Sequence, residues 1–279
     1  KSIVGFLYGT LNTTHYLYSG TSLAEKLIQT PEIDFLGTPM PYENRGLGND
    51  TSYRHAIHSF MLHNKLYLNE ADTRTHINLP DQKQYGRPEN LKESIEILKR
   101  DFSKTLVRQV TGYWFGGHTH FGDANFLPVF SMMQEISELA LATNNKFPAE
   151  VAIIIDQDSI FYANQFTTWC LLNTEPIQEF GRFGAAWDIY YLSDLASEDI
   201  PDYKLYIFLN PFVMDAEKLQ IINRRLHRDG KVLVWMYAPG LINPKADIQV
   251  GTENMYALTG IKFGAEMKML SLEMEAVNH

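Results

Sequence analysis

Glu70 and Asp72 close the stretch Lys65-Leu-Tyr-Leu-Asn-Glu-Ala-Asp-Thr-Arg-Thr-His76, with Arg74 and His76 just behind them. Strand interiors rarely hold carboxylates, because a charge taken out of water must be paired. An apolar run that stops in two of them, with a cation close by, therefore reads as the rim of an active site. Carboxylates in that setting act as nucleophiles, general acids or general bases. Residues 70 and 72 share one side of an extended strand, so Asp72 could orient Glu70 or accept a substrate hydroxyl. Arg74 could hold both carboxylates ionised. A salt-bridged rim that only organises its loop is the bland alternative.

A second cluster is Tyr113-Trp-Phe-Gly-Gly-His-Thr-His120. Trp114 offers a flat apolar face, and His118 and His120 offer hydrogen-bonding groups. His118-x-His120 with Asp123 invites a metal reading, but two histidines in a loop are a weak signal. No metal and no cofactor is expected. Tyr42 and Arg45 could line the same mouth or simply anchor their loop. His55, His58 and His63 share one predicted helix and read as solvated or capping groups.

The elements that must position these residues fall into two halves. Residues 1–146 repeat strand, polar loop and amphipathic helix. Strands are predicted over 2–8, 33–38, 66–69 and 112–115, and helices over 22–29, 52–63 (capped by Thr51 or Ser52), 90–109 and 126–143. Alternation of this kind implies a parallel sheet. Residues 147–279 form the second half, with a linker at 144–148 across the boundary. Strands are predicted over 150–156, 187–192, 203–209 and 232–237. Helices are predicted over 159–172 and 215–229, the latter capped by Asp215 and closed by Gly230. The pattern is doubly wound α/β, but no Gly-x-Gly-x-x-Gly follows its first strand, so dinucleotide binding is not inferred. Asp156 and Asp158 follow that strand, with Asp158 expected to cap a helix. A Cys-His pair and a Gly-x-Ser-x-Gly elbow are both missing from this half, which disfavours an amidotransferase.

Composition narrows the classes. The 279 residues carry a formal charge of −9, 45% hydrophobic and 20% charged residues. A real core is expected and disorder is not. A net negative chain repels phosphate backbones, so nucleic acid is an unexpected partner. Apolar runs fall short of the roughly 18 residues a membrane span needs. The single cysteine, Cys170, excludes an intramolecular disulfide and a Cys-rich zinc site, and reads as a buried inert thiol. The sequence opens at Lys1 without methionine or signal peptide. A processed or truncated product is expected, with the compartment open between cytoplasm and export.

Three segments resemble glycoside hydrolase family 42, the β-galactosidases: 33–46, 65–76, and 150–159 with 193–195, 203–210 and 229–240. The resemblance implies that residues 1–146 are strands 5 to 8 of a (β/α)8 TIM barrel and that residues 147–279 are the flavodoxin-like trimerisation domain. It implies that Glu70, at the end of strand 7, is the nucleophile, and that the acid/base glutamate belongs to a strand before Lys1. Retaining hydrolysis needs two carboxyl groups roughly 5 Å apart, so Glu70 would be one side of a site and Asp72 a supporting group. Tyr42, Arg45, Arg74, Trp114, His118 and His120 would bind sugar, with Trp114 as the platform for a pyranose face. The expected partners are a carbohydrate substrate and further copies of the chain in a trimer. Open strand edges would favour self-association. The competing readings are a non-catalytic carbohydrate-binding or assembly module and an unrelated open α/β protein.

Overall fold

The computed structural model describes residues 4–6, 23–143, 148–163, 179–182, 184–227, 230–268 and 271–276. The chain divides into two compact units, Lys1–Pro148 with Asn173–Gly184, and Ala149–Leu172 with Ala185–His279.

In the first unit four strands pair in chain order, all parallel: β1 (Val4–Phe6), β2 (Phe35–Pro39), β3 (Leu66–Ala71) and β4 (Thr111–Trp114). Parallel strands in chain order need a crossover between each pair, and helices lie along these connections. Among the described residues the unit's α-helices are α1 (Ala24–Ile28), α2 (Ile57–Leu62), α3 (Leu91–Arg108), the short α4 (His118–Phe121) and α5 (Leu127–Thr143). Burial on β3 shows the two faces. Tyr67, Asn69 and Ala71 are buried, while Leu66 is 59% exposed and Leu68 and Glu70 are half-buried. Tyr67 packs against Phe60 of α2, ring centroids 5.1 Å apart, and burying such a side chain is worth about 1.5–3 kcal/mol. Asn90 caps α3 by accepting from the Glu93 amide at 3.0 Å.

In the second unit β5 (Val151–Ile155), β6 (Trp187–Tyr191), β7 (Leu205–Phe208) and β8 (Val232–Trp235) form a parallel sheet in the order β6-β5-β7-β8. Every residue of β5 is buried, as its β-branched run requires of a strand covered on both faces. Among the described residues its α-helices are α6 (Gln157–Ile160), α7 (Ala216–Leu226) and α8 (Thr252–Thr259). An antiparallel hairpin of β9 (Phe263–Lys268) and β10 (Ser271–Ala276) follows.

Several expectations change. The helix expected from residue 52 starts at Ile57, after Ala56, and neither Thr51 nor Ser52 caps it. Tyr53, Arg54 and His55 are buried in the preceding segment, and that tertiary burial overrides the capping signal. Consequently His55 precedes the helix and His63 closes it. Helix α6 is capped by Asp156, which accepts from the Ser159 amide at 3.1 Å, and not by Asp158. Helix α7 is capped by Asp215 but ends at Leu226, before the expected 229. Residues 164–172 with Cys170, and parts of the expected 2–8 strand and 144–148 linker, lie outside the described residues. Among the described residues no helix is long and apolar enough to cross a membrane, and no group of three or more His, Cys, Asp or Glu could hold a metal.

Candidate active site

The candidate site sits at the C-terminal ends of β2, β3 and β4. Glu70 faces Tyr113 across the β3–β4 pairing, and the Tyr113 phenol donates a hydrogen bond to Oε2 of Glu70. Partial burial, then that bond and the charges of Glu70 and Asp72, push the phenol up to about 12. Tyr113 is thus a fixed donor at neutral pH.

Asp72 is buried, with Oδ1 2.6 Å from Nη2 of Arg45 and Oδ2 3.6 Å from Nη1 of Arg74. The shorter contact is an ion pair without the alignment of a hydrogen bond. Its carbonyl also accepts from Nη1 of Arg45 at 3.2 Å and from Nη1 of Arg74 at 2.7 Å. Asp72 is therefore a strut between two loops. Arg45 is only 2% exposed and gives its other donors to the carbonyls of Pro41 and Met40, both at 2.6 Å. The Tyr42 ring packs against the guanidinium groups of Arg45, at 4.6 Å, and Arg54, at 5.0 Å. Buried Arg54 in turn binds the carbonyls of Pro39 and Met40. Arg45 and Tyr42 thus anchor the β2 loop, and the Arg45 guanidinium is spent on main-chain carbonyls and Asp72.

Trp114 belongs to the helix side. Its ring lies 6.0 Å from Phe121 and 5.8 Å from Phe130, against the core of Leu98, Phe126, Val129 and Met133. The Phe115 amide continues the ladder to the Ala71 carbonyl at 2.9 Å, so alternation returns Phe115 to the face of Tyr113 and Glu70. Phe115 is 53% exposed and Tyr113 38%. Tyr113 thus touches Glu70 and Phe115 shares its face, while Trp114 lies on the opposite one. Period-two alternation through residues 113–115 could have placed both from sequence, once Glu70 fixed the open face.

Beyond β4, His118 is exposed at the start of α4, while His120 turns back and meets Nη1 of Arg74 at 2.9 Å. Two hydrogen bonds and one longer contact join this loop to the one after β3. Thr75 Oγ1 donates to the His120 carbonyl, Asn78 Nδ2 to the Thr119 carbonyl at 2.9 Å, and His76 Nε2 lies 3.5 Å from Asp123. His76 Nδ1 also meets Ser94 Oγ at 2.9 Å, a Ser-His-Asp arrangement in outline. Ser94 is fully buried and its hydroxyl donates to the Asn90 carbonyl, so it is not a nucleophile. An open pocket of about 460 Å³ elsewhere in this unit is lined by Leu47, Asn49, Asp50, Ile97 and Arg100, among others, and by none of the candidate residues.

The corresponding strand ends of the second unit are filled. Lys218 Nζ lies 2.6 Å from Asp156 and 3.0 Å from Asp158. Asn210 accepts from the Asp156 amide at 2.8 Å and donates to its carbonyl at 2.7 Å. Ser159 bonds Asp156 and receives the Val213 amide.

No protein-family model matches the chain, and no curated protein matches it. Among solved structures, a catalytic mutant of Gan42B, a GH42 β-galactosidase from G. stearothermophilus, is 13% identical over 85% of this chain and 42% of its own, with a TM-score of 0.50. The cold-adapted β-galactosidase of Rahnella sp. R3 is 14% identical over 88% and 43%, TM-score 0.49. The β-galactosidase of Bifidobacterium adolescentis is 18% identical over 41% and 55%, TM-score 0.32. The chain thus spans about half the length of these structures or less. The first of them shows a fold: α/β with parallel sheets, resembling part of a β-galactosidase.

Proposed function

We propose that this chain is part of a retaining glycoside hydrolase acting on β-galactosides or related β-glycosides, with Glu70 as nucleophile. One observation carries the reading. Glu70 ends a strand in a sequentially ordered parallel sheet, on its open face, and receives a hydrogen bond from a tyrosine on the next strand. Barrel enzymes place their chemistry at such strand ends. In this reading β1–β4 are strands 5 to 8 of a (β/α)8 barrel, and the second unit is a flavodoxin-like trimerisation domain. Glu70 attacks the anomeric carbon as the glycosidic bond breaks, and Tyr113 holds the carboxylate in line. The proton donor for the leaving oxygen comes from a barrel strand that precedes these four. Phe115 offers the exposed apolar face for a pyranose ring. Asp72, Arg45 and Tyr42 hold the loops.

In the full-length protein, Glu70→Gln is expected to lower turnover of aryl β-galactosides or other aryl β-glycosides by about a thousandfold or more, with an unchanged circular dichroism spectrum. Unchanged turnover would reject Glu70 as nucleophile. A second reading, a carbohydrate-binding or assembly module, is favoured by the commitment of Asp72 to two arginines, since the motif then holds one available carboxylate. It predicts sugar binding or stable trimers without hydrolysis.

A further inference from the structure

We infer that His120 acts as a neutral hydrogen-bond acceptor that positions Arg74, and through it the Asp72 brace beside Glu70, so that the site assembles only with the imidazole unprotonated. The consequence for turnover rests on the reading of Glu70 as nucleophile; the state of the imidazole does not.

The hydrogens leave one arrangement. Arginine donates and never accepts, so the 2.9 Å contact between Arg74 Nη1 and His120 Nε2 requires a bare Nε2. On the other side of the ring, Thr119 Oγ1 lies 2.8 Å from Nδ1. The one hydroxyl hydrogen of Thr119 goes to the Gly116 carbonyl at 2.6 Å, so Nδ1 carries the proton and Thr119 accepts it. Nη1 of Arg74 has two hydrogens, one for His120 and one for the Asp72 carbonyl. Among the described residues the hydrogen bonds of Arg74 run through Nη1, and its Nε is buried without an acceptor. Losing His120 therefore removes one of two hydrogen bonds that fix the guanidinium over the Tyr85 ring.

The backbone makes room for this contact. Gly116 has a φ of +126°, and a Cβ there would come within 2.0 Å of His120 Nδ1. Only glycine both adopts that conformation and admits the ring so close. The charged groups facing His120 are Arg74, Asp72 and Arg45. Burial, then the Arg74 cation, lower the imidazole below its ordinary 6.5, with Arg45 in the same direction and the nearby Gly116 backbone and Asp72 opposing. A depressed folded value means that the stabilisation is full above 6.5 and is lost as pH falls through the folded value. Protonation would set an N–H against the Arg74 donor and a cation beside a cation.

The test is nitrogen-resolved NMR of histidine-labelled full chain, with His120→Gln identifying the resonance. The expected result is an Nδ1-protonated tautomer at neutral pH, titrating below 6.5, with Arg74→Met moving the titration up toward 6.5. An Nε2-protonated tautomer, or a titration unmoved by Arg74→Met, would overturn the inference whether or not the chain hydrolyses anything. Where turnover is present, His120→Ala is expected to lower kcat/KM about tenfold. His120→Gln, whose amide oxygen accepts at any pH, restores most of it and moves the acid limb of the profile to lower pH. A purely structural histidine would leave that limb in place, and so would sink the positioning role.

Discussion

Both units present polar groups at the C-terminal ends of a parallel sheet, yet they use them in opposite ways. In the second unit the carboxylate is consumed from within. Asp156 is buried against Lys218, Ser159 and Asn210, and every residue of β5 is buried. In the first unit the sheet leaves one face half open, and Glu70 stands on it with Tyr113 and Phe115 partly exposed. A carboxylate at a strand end is therefore not in itself a site. What separates the two is whether its neighbours finish its hydrogen bonds inside the fold or leave them facing outward.

The largest effect is expected from breaking the closed end. Lys218→Met leaves Asp156 buried without its cation and should cost about 3–5 kcal/mol, read by urea unfolding. Burial alone would lower the Lys218 ammonium, but the charges and hydrogen bonds of Asp156 and Asp158 win and raise it above its ordinary 10.5. A raised folded value stabilises fully below 10.5 and is lost as pH rises through it. The alkaline limb of stability should therefore flatten in Lys218→Met, and an unchanged limb would refute the pairing. An intermediate effect should divide the two adjacent aromatics of the open end. Trp114→Ala should destabilise by about 2 kcal/mol through lost ring contacts. Phe115→Ala should stay within about 0.5 kcal/mol while weakening binding of aryl glycosides, and the reverse ranking in thermal melts would invert the assignment of faces. A smaller loss than that of Trp114→Ala is expected at a helix start. Asn90→Ala removes the α3 cap and should cost about 1 kcal/mol, measurable as a lowered Tm.

The strands and long helices were legible as apolar runs of the right period, from Leu66–Ala71 to Leu91–Arg108. The second unit's run at Val151–Ile155 announced its double burial by composition alone. The site was legible less evenly. Glu70 stood out because charge at a strand end is unusual. Trp114 read as a sugar platform because a tryptophan beside a strand end suits a pyranose face, whereas its ring packs into the helix-side core. Arg45 read as a ligand because the carbonyls that consume it, from Met40, Pro41 and Asp72, have no signature in side-chain identity. The pairing of His120 with Arg74 joins residues 46 apart, a distance over which sequence pattern is silent.

Asn210 has a consequence for how the second unit finds its fold. Its side chain both donates to and accepts from the backbone of Asp156, 54 residues away. It thus imitates one more rung of the β5–β7 ladder where the main chain of β7 has ended. A continuous apolar strand such as Val151–Ile155 holds little information about alignment, since every residue is equally content to be buried. A slip by one residue would leave the amide group facing the wrong backbone and the buried polar atoms unmatched. Asn210 is in that sense a proofreading mark for strand register, written in a side chain because the strands themselves are too uniform to carry it.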